Sequence, residues 1–217
     1  GTYTEDLNYG IGKATEPGSI FKLATLMSLM EDKYVTMNSI VDCEGGKKNF
    51  YGLTIRDSHL GYRALTVKDA FERSSNVAFA KLADQYYHSQ PSKFIDHLHR
   101  FRLDTLTGID LTASSGKPTI KKPTNRSWAN TTIPYMAHGY EELVTPLHML
   151  MLYNAVANNG KMMKPYLVSS IKQYGVEVKT MKPQLTRRQA MHAVSRLALA
   201  AGVTQNAALA WALTGLE

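Results

Sequence analysis

The chain has 217 residues, of which 44% are hydrophobic, so it is long and apolar enough for one domain with a buried core. No apolar run approaches the roughly 18 residues that a membrane-spanning helix requires, and the single Cys43 excludes an internal disulfide. The formal net charge of +7 arises from scattered lysines and arginines without interleaved aromatic residues, so we expect no nucleic acid partner.

The first informative segment is Glu16–Ala24, in which a Pro-Gly turn precedes Ser19 and Lys22. The helix predicted from Ser19 to Glu31 places positions i and i+3 on one face, so the Lys22 amine can reach the Ser19 hydroxyl. Unpaired N–H groups in the first turn favour a developing alkoxide, and burial would lower the pKa of Lys22 until its amine accepts the serine proton. Because Ser-x-x-Lys also arises by chance in helices, the pair needs support from a second motif.

That second motif, Ser74-x-Asn76, follows a stretch of mixed character. Residues 42–60 are rich in Gly, Lys and Asp and indicate a loop with one short strand over Gly52–Arg56. Thr66 is expected to cap a helix that ends before Ser74, and a further helix is predicted directly after Asn76. The motif therefore lies at a junction between two helices.

A third helix is predicted to start at Pro91, with Ile95, Leu98 and Phe101 as its apolar stripe. The long segment 107–130 is dominated by Gly, Ser, Thr and Pro and is predicted to be a loop of the kind that often lines a site.

Two further elements follow this loop. Pro146–Asn158 is predicted to be a helix, with proline at its start and Asn159-Gly160 at its end. Tyr166–Ile171 and Gly175–Val178 alternate like a strand pair around a turn.

The pair His97-x-His99 is the one pattern that suggests a metal ligand set. Residues two apart on a helix point away from each other, and no third ligand lies at a useful spacing. We therefore predict no metal site and no cofactor. A Ser-His-Asp triad is also unnecessary, because a lysine base accounts for Ser19 and no Gly-x-Ser-x-Gly elbow is present.

The last segment, residues 185–217, has a different composition, with nine alanines. One helix is predicted from apolar residues at helical spacing, Met191, Val194, Leu197 and Ala198, and Gly202 would end it. A second helix is predicted over Asn206–Leu213. A helical pair that packs on the rest of the chain is the simplest interpretation. A DNA-reading helix-turn-helix that uses Arg187 and Arg188, or a reading frame that departs after Gln184, are the alternatives.

Taken together, the two motifs make the chain resemble the transpeptidase domain of class B (monofunctional) penicillin-binding proteins. The likeness rests on the segments Glu16–Lys22, Ala70–Ala78, Gly139–Glu141, Thr145–Leu147 and Tyr153–Met162. It predicts a partial transpeptidase domain over residues 1–184 and an Ala-rich helical tail over residues 185–217 that does not match the family. The implied fold is α/β, of the penicillin-binding-protein and serine β-lactamase type, here mostly its helical part with sheet strands missing at both ends.

This resemblance also implies a function, that of a peptidoglycan D,D-transpeptidase without a cofactor. Ser19 would be the nucleophile, Lys22 its base, Ser74 the group that passes a proton to the leaving amine, and Asn76 a substrate-binding residue. The implied partners are peptidoglycan stem peptides, β-lactam antibiotics and membrane-bound cell-wall synthesis proteins. The implied location is the extracytoplasmic face of the bacterial cytoplasmic membrane, with an anchor on the parent protein that this chain lacks.

One family motif, Lys-Thr/Ser-Gly, does not occur in the 217 residues. Lys179-Thr180 is followed by methionine, and Thr214-Gly215 lacks the lysine. We therefore expect this chain to be acylated poorly or not at all. Two other functions stay open: a serine β-lactamase or β-lactam sensor with the same first two motifs, and a non-catalytic binding or scaffolding domain.

Overall fold

The computed structural model describes residues 7–111 and 116–187. Residue 187 is described by its backbone alone. The helices are α1 (Tyr9–Gly12), α2 (Lys22–Glu31), α3 (Val67–Glu72), α4 (Asn76–Tyr87), α5 (Pro91–Arg100), α6 (Thr132–Met136) and α7 (Pro146–Ala157). The strands are β1 (Ile40–Asp42), β2 (Lys47–Phe50), β3 (Leu53–Arg56), β4 (Ala64–Thr66), β5 (Met162–Met163), β6 (Ser170–Gln173), β7 (Val176–Thr180) and β8 (Leu185–Arg187).

Helix α2 lies at the centre of the fold. Every residue from Lys22 to Met30 is buried, which is typical of a helix enclosed by other elements. Helices α4 and α5 both pack against it. The helix predicted from Ser19 is confirmed from Lys22 onward, and Gly18–Phe21 forms a 3₁₀ turn that leads into it.

Helices α3, α4 and α5 follow the sequence prediction closely. The Thr66 hydroxyl accepts a hydrogen bond from the Asp69 N–H at 3.0 Å, so the predicted N-cap is confirmed. Ile95 and Leu98 of α5 are buried in the main core, as the apolar stripe predicted. Helix α7 ends at Ala157, and Asn159 and Gly160 that follow it have positive φ angles of 52° and 78°.

All four sheets among the described residues are two-stranded and antiparallel: β1 with β4, β2 with β3, β5 with β8, and β6 with β7. The short strand predicted over Gly52–Arg56 is confirmed as Leu53–Arg56, but the loop predicted around it was wrong in part, because Lys47–Phe50 is a second strand that pairs with it. Its polar sequence hides it, since only Phe50 points into the core. Tyr51 and Gly52, with φ angles of 52° and 94°, close this hairpin.

The strand pair predicted near residues 166–178 is confirmed, with a later start. Strand β6 begins at Ser170, because the backbone N–H groups of Leu167 and Val168 donate to the Asp110 carboxylate at 3.1–3.2 Å. Those two donors are therefore unavailable to a sheet ladder.

The described part of the long loop, residues 107–111 and 116–130, contains no helix or paired strand beyond a single bridge between Thr119 and Leu143. Strand β5 is the first strand after α7, and it pairs with β8 at the end of the described residues. The helices predicted from Met191 onward lie outside the described residues. None of the described helices is long and apolar enough to cross a membrane.

Candidate active site

The Lys22 amine lies at the centre of a polar cluster at the start of a buried helix. Its side chain is 1% exposed. The Nζ atom lies 2.9 Å from the Ser19 Oγ atom, 2.9 Å from the Ser74 Oγ atom, 2.7 Å from the Ser74 carbonyl oxygen and 2.6 Å from the Asn76 Oδ1 atom. The structure therefore brings together all four residues that the sequence singled out.

Two of these four contacts are made to atoms that only accept hydrogen bonds, the Ser74 carbonyl oxygen and the Asn76 Oδ1 atom. The assignment of the Asn76 amide is fixed by its Nδ2 atom, which donates to the Arg56 carbonyl at 2.8 Å. A neutral amine has two N–H groups and one lone pair. In the neutral form the two acceptors take both N–H groups, and the lone pair can accept from one serine hydroxyl at a time.

Burial favours the neutral amine. Desolvation lowers the pKa of Lys22 from 10.5 to about 7, and the negative charge of Asp57 opposes this shift without cancelling it. A lysine in this state is neutral in a large fraction of molecules near neutral pH. The amine can then accept a proton from Ser19.

The junction between α3 and α4 presents Ser74 and Asn76 to the amine. Ser74 has a φ angle of 54°, a left-handed conformation that turns its carbonyl and hydroxyl toward Lys22. Ser75 caps α4 by accepting from the Ala78 N–H at 3.0 Å, and its own hydroxyl donates to the Asp57 carboxylate at 2.8 Å. The left-handed residue and the cap together fix the direction of the motif.

Asp57 is a site residue that sequence reasoning missed. Its second carboxylate oxygen accepts from the Val77 N–H at 2.9 Å, at the first turn of α4. A carboxylate at a helix N-terminus is stabilised by the exposed N–H groups there. Asp57 directly follows β3. The residues around it in the sequence indicate the end of a strand and do not indicate its contact with α4.

The start of α2 is held from the opposite side by residues 137–139, which we call the 137–139 brace. The Gly18 N–H donates to the Gly139 carbonyl at 2.9 Å, and the Thr25 hydroxyl donates to the Ala137 carbonyl at 2.9 Å. A Cβ atom on Gly139 would overlap the Gly18 carbonyl group. Only glycine fits this contact, so the nucleophile loop and the brace lie backbone against backbone.

Two buried ionisable groups beside the site have no hydrogen-bond partner among the described residues, His138 and Glu142. Desolvation, and to a smaller extent the positive charge of Lys22, lower the pKa of His138 to about 4. Desolvation raises the pKa of Glu142 well above its usual range. His138 is therefore uncharged near neutral pH, and burial favours the protonated form of Glu142. Neither belongs to a motif that sequence analysis could recognise.

In the described residues, no group of three His, Cys, Asp or Glu side chains is arranged to hold a metal ion. His97 and His99 contact different carboxylates, since His97 Nε2 lies 2.9 Å from Asp32 and His99 Nδ1 lies 2.9 Å from Asp104.

This constellation can be compared with known proteins. A family model described as the penicillin binding protein transpeptidase domain matches residues 2–205. The chain belongs to this family. The match includes Ser19, Lys22, Ser74 and Asn76, and it extends beyond Gln184 into the Ala-rich segment.

Curated relatives of this transpeptidase domain are longer proteins. The chain is 26% identical over 164 residues to penicillin-binding protein PbpB of Mycolicibacterium smegmatis, covering 75% of this chain and 24% of that protein. It is 26% identical over 202 residues to peptidoglycan D,D-transpeptidase FtsI of Escherichia coli, covering 93% of this chain and 32% of that protein. It therefore spans about a quarter to a third of the length of these relatives.

Solved structures show the same fold. Penicillin-binding protein A from M. tuberculosis, as an imipenem acyl-enzyme complex, superposes with a TM-score of 0.75 at 20% identity and covers 88% of this chain and 43% of that one. Penicillin-binding protein 3 from M. tuberculosis with aztreonam gives a TM-score of 0.72 at 22% identity, over 86% of this chain and 41% of that one. The predicted α/β fold of the penicillin-binding-protein type is thus confirmed.

Proposed function

We propose that this domain is the acyl-transferring part of a peptidoglycan D,D-transpeptidase, with Ser19 as nucleophile and Lys22 as base. The observation that carries the proposal is the position of the buried Lys22 Nζ atom, which lies 2.9 Å from the Ser19 Oγ atom and 2.9 Å from the Ser74 Oγ atom. The names of the relatives support the choice of reaction, since FtsI of E. coli is a peptidoglycan D,D-transpeptidase.

The first half-reaction is acylation. The Ser19 oxygen attacks the carbonyl carbon between two D-alanines of a stem peptide, and Lys22 takes the hydroxyl proton. The C–N bond breaks, and the leaving D-alanine amine receives a proton through the Ser74 hydroxyl, which lies within reach of the Lys22 amine. The backbone N–H of Ser19 stabilises the oxyanion as one of its donors.

The second half-reaction returns the free serine. An amine of a neighbouring stem peptide attacks the acyl-enzyme carbonyl and gives a proton to Lys22 through the Ser74 hydroxyl; the bond to Ser19 then breaks, and the serine oxygen takes that proton from Lys22. Asn76 holds the substrate in both steps, because its Nδ2 atom donates one N–H to Arg56 and has a second N–H for a substrate carbonyl.

β-Lactam antibiotics enter by the same chemistry. Attack of Ser19 on the lactam carbonyl opens the ring, and the leaving nitrogen stays attached to the acyl group. The acyl-enzyme complexes of penicillin-binding protein A from M. tuberculosis support this reaction for a protein of the same fold.

The proposed substrate also implies a location for the domain. Cross-linked peptidoglycan lies outside the bacterial cytoplasmic membrane, so we place the domain at the extracytoplasmic face of that membrane, with membrane-bound cell-wall synthesis proteins as its partners. Protease accessibility in spheroplasts would test this location, and protection of the domain until the membrane is dissolved would contradict it.

The proposed function is tested by intact mass spectrometry of the chain after long incubation with benzylpenicillin. We expect one adduct with the mass of the antibiotic, absent from Ser19→Ala and strongly reduced in Lys22→Met. Formation should be slow, because the Lys-Thr/Ser-Gly motif does not occur in these residues. An adduct that persists in Ser19→Ala would remove the assignment, and no adduct from the folded chain would show that acylation requires that motif.

The lifetime of the adduct separates the rival enzyme class. A transpeptidase holds a penicilloyl group because its site does not activate a water molecule, so the adduct should persist after removal of free antibiotic. Loss within seconds, together with steady hydrolysis of penicillin, would assign a β-lactamase instead. Rapid turnover of a D-Ala-D-Ala peptide would show that the absent motif is dispensable.

A further inference from the structure

The hairpin formed by β6 and β7, Ser170–Thr180, stands apart from the core; we call it the Tyr174 hairpin. Every residue from Ile171 to Thr180 is exposed. A two-stranded antiparallel sheet in water gains little stability from its own contacts. Exposed apolar side chains on such a hairpin indicate a surface that contacts another molecule.

A second hairpin in the same molecule provides an internal comparison. Tyr51 closes the β2–β3 hairpin with a positive φ angle and a following glycine, as Tyr174 closes its own with a φ angle of 50°. Tyr51 folds back onto α4, where it donates to Asp84 and stacks on His88 at 5.0 Å. Tyr174 is 97% exposed, against 49% for Tyr51. The two turns are alike in backbone conformation, but Tyr51 packs against the end of α4 whereas Tyr174 extends into solvent.

The projecting hairpin combines two kinds of side chain. Large apolar residues on it and at its base are exposed, namely Tyr166, Leu167, Val168, Ile171, Tyr174, Val176 and Val178. Five exposed lysines lie on it or flank it, namely Lys161, Lys164, Lys172, Lys179 and Lys182. Between residues 161 and 182 the only acidic residue is Glu177, and Asp110 adds one carboxylate at the base of the hairpin, so lysines outnumber carboxylates on this surface.

The strand register sets apolar and charged side chains opposite each other. Ile171 pairs with Lys179, Lys172 with Glu177 and Gln173 with Val176, with a register shift between Ile171 and Lys172. Directly opposed residues lie on the same face of a sheet, so Ile171 and Lys179 are neighbours. Apolar groups at the tip and ammonium groups beside them match a surface with an apolar interior and an anionic layer above it.

We propose that the Tyr174 hairpin docks on an anionic lipid surface. The tyrosine ring and the valine and isoleucine side chains enter the interface between headgroups and acyl chains, and the lysines pair with lipid phosphates. Lys172 and Lys179 form no ion pair with a carboxylate of residues 7–111 or 116–187, so both charges are available. This contact is independent of the acyl-transfer site and of any hydrophobic anchor.

The test is co-sedimentation of the full 217-residue chain with vesicles. One set is made of phosphatidylcholine with phosphatidylglycerol, the other of phosphatidylcholine alone. We expect the chain to bind the anionic set and to be released by salt. The double variant Lys172→Gln/Lys179→Gln should bind about 25-fold more weakly, at about fivefold for each lysine. The matched control, Lys33→Gln/Lys47→Gln, has the same net charge and should bind like the parent chain.

Tryptophan substitution supplies a second measurement at the tip itself. In Tyr174→Trp the added fluorophore should shift to the blue when anionic vesicles are added, whereas Tyr51→Trp, in the docked hairpin, should not respond. Absence of binding to anionic vesicles overturns the proposal. So does equal weakening by both lysine pairs, which would show diffuse attraction by net charge. An unshifted emission from a Tyr174→Trp chain that binds the vesicles would overturn it as well.

Discussion

Lys22 reaches Ser19 because a 3₁₀ turn separates them: Ser19 lies inside the turn, Lys22 is the first residue of α2, and their side-chain atoms are 2.9 Å apart. In a 3₁₀ helix residues three apart eclipse each other, whereas in an α-helix they are offset around the axis. The change of helix type therefore brings the amine directly over the hydroxyl.

The pH dependence of acylation follows from this lysine. Because burial lowers the pKa of Lys22 to about 7, the amine gains its free lone pair as the pH rises through that value. The rate of adduct formation with benzylpenicillin should therefore rise between about pH 6 and about pH 8 and then level off. Single-turnover rates across this range would check it, and a rate that falls with pH would rule out a lysine base.

The negative charge of Asp57 should shift the midpoint of the pH profile of acylation. Its charge raises the pKa of Lys22, so Asp57→Asn should move the midpoint of the pH profile to lower pH. The amide preserves the contacts, since its oxygen can accept from Val77 and its NH₂ can donate to the Ser75 hydroxyl. Asp84→Asn, at the exposed contact with Tyr51, is the control and should leave the midpoint unchanged. A midpoint that stays the same in both variants would argue against electrostatic control by Asp57.

Gly139→Ala should damage both stability and chemistry. The added methyl group would overlap the Gly18 carbonyl, and the φ angle of 96° is unfavourable for any side chain. We expect a loss of about 3–5 kcal/mol of unfolding free energy in urea titrations. Gly175→Ala is the matched control: its φ angle is also positive, at 80°, but no atom lies within 4 Å of the new Cβ. It should cost only about 1–2 kcal/mol.

Stability should also depend on the protonation of Glu142. Its pKa is raised in the folded chain, so the folded state holds a proton that the unfolded state releases above its ordinary pKa of 4.5. The stabilisation of the protonated form is complete below that pKa and is lost as the pH rises toward the folded pKa. The free energy of unfolding should therefore fall with increasing pH over this window.

The variant Glu142→Leu removes this dependence. It should be more stable than the parent chain by about 1–3 kcal/mol at about pH 8, because a buried carboxyl group without a partner is replaced by an apolar one. The difference should shrink toward about pH 5. Glu177→Leu, on the exposed Tyr174 hairpin, is the control and should show no such pH trend. Equal pH slopes for the parent chain and Glu142→Leu would mean that Glu142 is ionised in the fold.

The site residues were predictable because their chemistry is local in sequence. Ser19 and Lys22 share one turn, Ser74 and Asn76 share another, and each pair is a recognisable spacing of reactive side chains. Their meeting in space followed from the resemblance to a known family. The burial that lowers the pKa of Lys22 depends on packing, which spacing alone does not encode.

The residues that the sequence did not reveal act across long separations. Asp57 meets α4 from the end of β3, and Gly139 meets Gly18 from the other half of the chain. Strand β2 was missed for a different reason. Lys47 and Lys48 follow glycines and read as loop, yet the ladder to β3 depends on backbone groups that every residue has.

The 137–139 brace sets the order in which reactivity can arise during synthesis. The four polar residues of the site are all made before the brace leaves the ribosome. Until then, the carbonyls of Ala137 and Gly139 are not available to hold the start of α2. A nascent chain thus has every reactive side chain but not the geometry that joins them, and its chemistry begins only when the later residues fold back onto the start of α2.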